Sequence, residues 1–127
     1  MLIDDSNIFC SVLKRYLKSD DYQFQEYSNP RQAVDSLLNK QIDPDLIICD
    51  LHMPQLSVLE VLRQIRADES FAQTPFVLLT SDTELETKLE LIEAGADAFI
   101  GKNEDPRLIS VQVKSLLKRY EECLALH

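Results

Sequence analysis

Residues 46–50 read Leu-Ile-Ile-Cys-Asp, and this stretch decides the fold class. Its first four residues are all apolar, which is typical of a central strand of a parallel sheet that helices cover on both faces. Residues 76–79, Phe-Val-Leu-Leu, repeat the pattern. These runs are far shorter than the ~20 apolar residues that span a bilayer, so the sequence excludes a membrane protein.

Around these runs, the chain repeats a short apolar run followed by a helical pattern five times. We predict strands at residues 1–3, 22–24, 46–49, 76–79 and 98–100. This alternation predicts an α/β fold, a flavodoxin-like (βα)5 doubly wound sandwich whose five-stranded parallel sheet has the order 2-1-3-4-5.

Apolar residues spaced three and four apart predict which face of each helix is buried. For the first four helices these residues are Ile8, Phe9, Val12, Leu13, Tyr16 and Leu17; Ala33, Val34, Leu37 and Leu38; Val58, Leu59, Leu62 and Ile65; and Leu85, Leu89 and Ile92. Capping residues predict the helix ends. The predicted starts are Asn29-Pro30, the capping boxes Ser57/Glu60 and Thr83/Glu86, and Asp105-Pro106, and the predicted end of the fourth helix is Gly95.

Charge and cysteine content restrict the partners and the compartment. The net charge of −9 over 127 residues repels phosphate backbones, so we expect no direct nucleic-acid binding by this domain. The three scattered cysteines form neither a disulfide framework nor a zinc site, and we interpret them as reduced, mostly buried thiols. No secretion signal is visible at Met1, so we expect a cytoplasmic protein.

Polar side chains follow the strands at the edge where a doubly wound sheet collects its reactive groups. They are Asp4 and Asp5 after the first strand, Asp50 after the third, Thr80-Ser81 after the fourth and Lys102 after the fifth. Clustered carboxylates repel one another unless a cation is present, and a hard divalent ion such as Mg²⁺ suits oxygen ligands. The sequence therefore predicts a Mg²⁺ site at which Asp50 acts as a nucleophile toward phosphorus, with Lys102 and Thr80 stabilising the phosphoryl oxygens.

Four sequence blocks resemble the signature blocks of the receiver domains of two-component response regulators. Their order and approximate spacing match across nearly the whole chain. The blocks are Leu2-Ile3-Asp4-Asp5-Ser6, Asp50-Leu51-His52-Met53-Pro54, Leu79-Thr80-Ser81 and Gly95-Ala96-Asp97-Ala98-Phe99-Ile100-Gly101-Lys102.

The resemblance implies a role for each matching residue of the acceptor site. Asp50 matches the position that takes a phosphoryl group from a phosphohistidine of a sensor histidine kinase or phosphotransfer protein. Asp5 and Asp50 match carboxylates that ligate Mg²⁺, the backbone carbonyl of His52 matches a third ligand, and Asp4 matches an acid acting on the metal through water. Lys102 matches the phosphoryl-binding lysine.

The resemblance also implies how phosphorylation is read. Thr80 and Phe99 match a switch pair in which the hydroxyl moves toward the phosphoryl group and the ring turns inward. His52 and Asp82 stand where the family tunes the lifetime of the acyl phosphate. The chain would then be a phosphoacceptor protein that catalyses its own phosphorylation and dephosphorylation, rather than an enzyme acting on other substrates.

Two positions depart from the family pattern. Asn103 replaces the proline that usually follows the lysine, and a cis bond before a non-proline residue costs about 2.5–4 kcal/mol, so we predict a trans Lys102–Asn103 peptide. Ser57-Val58 replaces the usual Asp-Gly, and Val58 disfavours a positive φ, so we predict an altered loop before the third helix.

The last predicted helix is long, and its apolar residues form a coiled-coil-like seam of Ile109, Val113, Leu116, Tyr120 and Cys123. We interpret residues 1–119 as the receiver domain and residues 120–127 as the end of the last helix, leading to a covalently attached output domain. A dimer contact or a frayed end are alternatives for this segment. Homodimerisation through the fourth and fifth units is a further expectation, by analogy with the family.

Three other functions remain as alternatives. A degenerate receiver would keep the fold as an unphosphorylated binding or dimerisation module. An aspartate-nucleophile phosphatase is disfavoured because His52 stands where a second aspartate is needed, and a flavodoxin because no Ser/Thr/Gly-rich phosphate loop follows the first strand.

Overall fold

The computed structural model describes residues 1–4, 6–17, 22–51, 57–80 and 85–125. Strands and helices alternate along the chain. In order they are β1 (Leu2–Ile3), α1 (Asn7–Leu17), β2 (Glu26–Tyr27), α2 (Pro30–Leu38), β3 (Ile47–Asp50), α3 (Val58–Ala67), a short 3-10 helix (Glu69–Phe71), β4 (Phe76–Thr80), α4 (Leu85–Ala94), β5 (Ala98–Gly101) and α5 (Pro106–Ala125). Among the described residues, no helix has both the length and the apolar composition of a membrane span.

The five strands form one parallel sheet in the order β2-β1-β3-β4-β5. This confirms the predicted doubly wound topology. The central strands β3 and β4 are buried at every position, as their unbroken apolar runs predict. Because successive side chains of a strand point to opposite faces, each central strand contributes to two cores.

Each face of the sheet carries its own hydrophobic core. On one face, α2, α3 and Leu91 of α4 pack against alternate strand residues such as Ile47 and Phe76. On the other face, α1 and α5 pack against Ile48 and Val77. Helices on both faces leave the two ends of the strands as the places where polar groups collect.

Helix capping follows the sequence signals at three of the predicted sites. The Asn29 side chain accepts a hydrogen bond from Arg31 N, and Pro30 begins α2. Asp105 caps α5 in the same way, and Gly95 follows α4 at φ +116°, a conformation that favours glycine. Ser57 occupies the N-cap of α3 but its side chain makes no capping hydrogen bond, so the predicted capping box there is wrong. Thr83 of the other predicted box lies outside the described residues.

The predicted second strand is misplaced, because β2 lies at Glu26–Tyr27 rather than at residues 22–24. In the described backbone, Leu2 N donates to Gln25 O and Asp4 N donates to Tyr27 O, which fixes this register. An edge strand of two residues carries little hydrophobic signal, and the alternation at Tyr22 and Phe24 belongs to the segment before it.

Several predicted core faces also need correction. In α4, Leu91 is buried, whereas the predicted residues Leu85, Leu89 and Ile92 are 71%, 50% and 54% exposed. The first three helices differ at one or two residues each. Ile8, Tyr16 and Leu38 are exposed, Leu59 is only partly buried, and Val61 joins the core of α3.

The thiols and the backbone agree with the sequence predictions where they are described. Cys10 and Cys49 are buried free cysteines, and the side chain of Cys123 lies outside the described residues. Desolvation raises the pKa of the Cys10 thiol to about 11 and that of Cys49 further. The described backbone contains no cis peptide bond, so the Lys102–Asn103 peptide is trans as predicted.

Arg66, in the last turn of α3, ties this helix to the end of α4 and to β5. Its Nη1 donates to the carbonyl oxygens of Phe71 and Thr74, each at 2.7 Å. Its Nε and Nη2 donate to Gly95 O at 3.1 and 2.9 Å, and Nη2 also pairs with Asp97 at 2.8 Å. A methyl group on Gly95 would lie only 2.9 Å from the Arg66 side chain, so glycine also makes room for this contact.

Candidate functional site

The parallel register brings the predicted site residues to one edge of the sheet. Ile3 pairs with Cys49, so Asp4, directly after β1, lies beside Asp50, the last residue of β3. On the other side of β3, Thr80 ends β4 and pairs with Gly101 of β5, which places Lys102 next in line. These residues are far apart in sequence, and they meet because each ends or directly follows a strand at the same edge of the sheet.

Lys102 joins the two carboxylates. Its Nζ lies 3.1 Å from Asp50 Oδ2, and 3.2 and 3.0 Å from the Oδ1 and Oδ2 atoms of Asp4. The side chains are 19% exposed for Lys102, 6% for Asp50 and 2% for Asp4. Lys102 N also donates to Thr80 O at 2.8 Å, which anchors the lysine backbone at the end of β4.

Burial and pairing oppose each other in the electrostatics of this cluster. Desolvation raises the pKa of Asp4 above its ordinary value, and the nearby Asp50 adds to this, while hydrogen bonds from Ser6 and Lys102 act in the other direction. Desolvation lowers the pKa of Lys102, but its hydrogen bonds to Asp4 and Asp50 outweigh it, so the net shift is upward. The ammonium therefore stays charged and pairs with both buried carboxylates.

The first turn of α1 is built onto the same carboxylate. Ser6 N donates to Asp4 Oδ1 at 2.9 Å, and Phe9 N donates to the Ser6 hydroxyl at 3.3 Å. Cys10 N donates to the Ser6 carbonyl at 3.1 Å. This order of hydrogen bonds fixes where α1 begins relative to Asp4.

Thr80 and Phe99 occupy the neighbouring strands β4 and β5. Thr80 is buried, and Phe99 is partly buried against the core that contains α3. Lys88 of α4 places its Nζ 6.0 Å from the centre of the Phe99 ring. Of the residues predicted as a switch pair, Thr80 therefore lies at the strand edge that carries the carboxylate cluster, and Phe99 lies near α4.

The remaining predicted site residues lie outside the described residues: Asp5, His52, Ser81 and Asp82. Among the described residues, no group of three or more His, Cys, Asp or Glu side chains gathers as a metal site. The described part of the predicted metal site is the pair of Asp4 and Asp50.

This pair fits a hard divalent cation. Both side chains present carboxylate oxygens, the ligands that Mg²⁺ prefers. Asp4 Oδ2 is buried, and within the described part of the chain it accepts no directed hydrogen bond, its contact with Lys102 Nζ being electrostatic. A buried carboxylate oxygen without a hydrogen-bond donor of its own can accept a cation, or a water molecule bound to one, as a partner.

Phe9 was not predicted as part of the site, because its spacing in α1 indicated a core residue. The structure places Lys102 Nζ 5.1 Å from the centre of its ring. The signal available in the sequence was only the short spacing from Asp4 through Ser6 to Phe9.

Comparison with known proteins agrees with this geometry. The pattern described as "Response regulator receiver domain" matches residues 1–114. The transcriptional regulatory protein ResD of Bacillus subtilis is 34% identical over 119 residues, covering 94% of this chain and 48% of ResD. The transcriptional regulatory protein SrrA of Staphylococcus aureus is 30% identical, with coverage of 94% and 47%. The chain spans about half the length of these curated relatives.

Solved structures show the same fold. The signal receiver domain of a signal transduction histidine kinase from Syntrophus aciditrophicus has a TM-score of 0.78 at 31% identity, covering 92% of this chain and 87% of that one. Because the family pattern matches most of the chain, and the acidic pair and the lysine meet at the edge where the sheet order puts them, this protein belongs to the receiver domain family of two-component response regulators.

Proposed function

We propose that this domain accepts a phosphoryl group on Asp50 from a phosphohistidine and passes the resulting conformational change to an output domain or partner. The observation that carries the proposal is the contact of 3.1 Å between Asp50 Oδ2 and Lys102 Nζ, with Asp4 on the same ammonium. This contact holds a carboxylate beside a cation that would neutralise the oxygens of an arriving phosphoryl group.

In the proposed reaction, an Asp50 carboxylate oxygen attacks the phosphorus of the donor. The new O–P bond forms as the N–P bond to the donor imidazole breaks, and the imidazole takes up a proton. The Lys102 ammonium then exchanges part of its contact with Asp50 for the phosphoryl oxygens. The Thr80 hydroxyl, at the end of the next strand, donates a hydrogen bond to one of them.

Mg²⁺ is the proposed cofactor. Asp50 and Asp5 would contribute carboxylate oxygens and His52 its backbone carbonyl, with Asp5 and His52 lying outside the described residues. Asp4 would act on the metal through a water molecule. When bound, the cation would neutralise negative charge that Lys102 alone does not balance.

The proposed partners follow from the length and charge of the chain. The curated relatives are about twice as long and include transcriptional regulatory proteins, so we propose an attached output domain in the complete regulator. With a net charge of −9, this domain would leave nucleic-acid contacts to that output domain. The phosphoryl donor would be a sensor histidine kinase or phosphotransfer protein in the cytoplasm, and homodimerisation remains part of the proposal.

The test is labelling with acetyl phosphate and Mg²⁺, followed by the mass of the intact protein. We expect one added phosphoryl group that is stable in acid and lost in base. Asp50→Asn should abolish labelling without changing the circular dichroism spectrum. Asp45→Asn is the matched control, because Asp45 is an exposed aspartate at the opposite end of β3, and it should label at the normal rate.

Other outcomes would select the alternatives. A wild-type protein that takes no label and binds no Mg²⁺ would be a degenerate receiver that acts as a binding or dimerisation module. Continuous turnover of diverse phosphoesters would indicate a phosphatase instead.

A further inference from the structure

We infer that Phe9 is a positioning residue for the Lys102 ammonium, and that its aromatic face is needed for rapid phosphorylation of Asp50. The inference rests on the proposed function of Asp50 and Lys102. It concerns a residue of α1 that lies outside the row of strand-end groups, and whose spacing alone indicates an ordinary core position.

The contact is of the cation–π type. Lys102 Nζ lies 5.1 Å from the centre of the Phe9 ring, within the range in which an ammonium is attracted to an aromatic face. The same Nζ lies within about 3 Å of Asp4 and Asp50, so the ring and the carboxylates hold one cation together. Because the Lys102 side chain is mostly buried, little water screens this attraction.

The backbone places the ring where this contact is made. Asp4 Oδ1 accepts from Ser6 N, the Ser6 hydroxyl accepts from Phe9 N, and these two bonds set the first turn of α1. The carboxylate that pairs with Lys102 is therefore linked to the ring that lies beside the same ammonium. Phe9 also packs at the margin of the core shared by α1 and α5, which limits its movement.

A lysine side chain has several rotatable bonds, so with two carboxylates alone its ammonium could shift toward either carboxylate. The ring adds a third direction of attraction that is independent of the charge on Asp50. When Asp50 carries a phosphoryl group, the contacts of Lys102 with the carboxylate change, but the attraction to Phe9 remains. Phe9 would thus keep the ammonium at the acceptor site throughout the transfer.

The test compares Phe9→Leu, which keeps apolar volume and loses the aromatic face, with Phe9→Tyr, which keeps the face. Phe24→Leu is the matched control, since Phe24 is a partly buried aromatic residue that packs on the same core near the other end of the sheet. We expect Phe9→Leu to lower the second-order rate constant for labelling by acetyl phosphate about two- to tenfold. Phe9→Tyr and Phe24→Leu should label at nearly the wild-type rate.

A second measurement separates positioning from a loss of packing and needs no phosphorylation. The ε-methylene protons of Lys102 should show a ring-current shift in the NMR spectrum of the unlabelled protein. This shift should disappear in Phe9→Leu and persist in Phe9→Tyr and Phe24→Leu. Phe9→Met replaces Phe9→Leu in both measurements if the leucine variant does not fold.

The inference is overturned if the Lys102 protons do not move in Phe9→Leu, if labelling is unchanged, or if Phe24→Leu slows labelling equally. A wild-type protein that takes no label would refute the proposed function of Asp50. The ring-current shift alone would then decide whether Phe9 positions Lys102.

Discussion

Helices α3 and α4 are neighbours of equal length that pack on the same face of the sheet in very different ways. Four residues of α3 are buried: Val58, Val61, Leu62 and Ile65. In α4, whose ten residues all belong to the described part of the chain, only Leu91 is buried. These apolar residues of α3 are thus buried in the core, whereas Leu85, Leu89 and Ile92 of α4 are exposed to solvent.

The difference indicates which part of the domain would move most readily under the proposed function. α3 belongs to the fixed core, whereas α4 is held by one buried leucine and by the contacts of Arg66 at its C-terminal end. Elements with few buried contacts open at low free-energy cost. Lys88 of α4 lies 6.0 Å from the Phe99 ring of β5, so under the proposed function a movement of Phe99 would also change this contact of α4.

The largest predicted effect is on the core of α3. Leu62 is fully buried, so Leu62→Ala should lower the free energy of unfolding by about 2–5 kcal/mol, because it removes apolar contacts and leaves a cavity. Urea denaturation measures this directly. A loss below about 1 kcal/mol would mean that α3 is no better anchored than α4.

The connection between the two helices is the next target. Arg66→Gln should lower the free energy of unfolding by about 1–3 kcal/mol, because it removes the donors to the carbonyl oxygens of Phe71, Thr74 and Gly95. It should also speed hydrogen exchange in the last turn of α4. Arg63→Gln, which changes an exposed arginine in α3, is the control. Equal exchange rates in the two variants would show that Arg66 does not hold α4.

The stability contributed by Asp68, at the C-terminal end of α3, should depend on pH. Asp68 pairs with Lys40 and accepts from Ser70 N, and these bonds hold the pKa of its carboxyl below the ordinary 3.8. A carboxyl with a lowered pKa in the folded state stabilises the fold above its unfolded pKa, and this stability is lost as the pH falls through the folded pKa.

Asp68→Asn should therefore be less stable than the wild type at pH 7, and the difference should shrink below about pH 4. Thermal unfolding across this range provides the measurement, with Glu90→Gln as the control for removing one exposed carboxylate from α4. A difference that stays constant from pH 7 to pH 2 would contradict the assigned role of the Asp68–Lys40 pair.

The smallest change in stability is expected from a substitution on the exposed face of α4. Leu89→Ala should change the free energy of unfolding by no more than about 0.5 kcal/mol, because Leu89 is half exposed. Leu91→Ala in the same helix should cost several times more. Similar losses of unfolding free energy in the two variants would mean that Leu89 belongs to the core, as the spacing of apolar residues in the sequence predicts.

The sequence predicts the sheet and most of the described site residues. The apolar run at residues 46–49 and its repeat predict the central strands, because a strand buried on both faces has no room for polar side chains. The order of the sheet follows from the right-handed crossovers of the alternating strands and helices. The strand-end rule then brings Asp4, Asp50, Thr80 and Lys102 to one edge, where the structure places them.

The failures have local physical reasons. In α4, Leu85, Leu89 and Ile92 are spaced as a regular apolar stripe on one side of the helix. The buried residue is instead Leu91, which lies on a different side and packs in the same core as α3. β2 is too short to carry a hydrophobic pattern. The contact of Phe9 with Lys102, and those of Arg66 with Gly95 and Asp97, join residues far apart in sequence, so no local pattern predicts them.

The central claim is that the carboxylate of Asp50 is the phosphoryl acceptor. Borohydride reduces an aspartyl phosphate to homoserine, so reduction of the labelled protein followed by peptide mass spectrometry identifies the acceptor residue. We expect homoserine at position 50, with Asp45 of the same peptide segment unmodified. Homoserine at another position, or an unmodified Asp50 in a protein that carries the label, would contradict it.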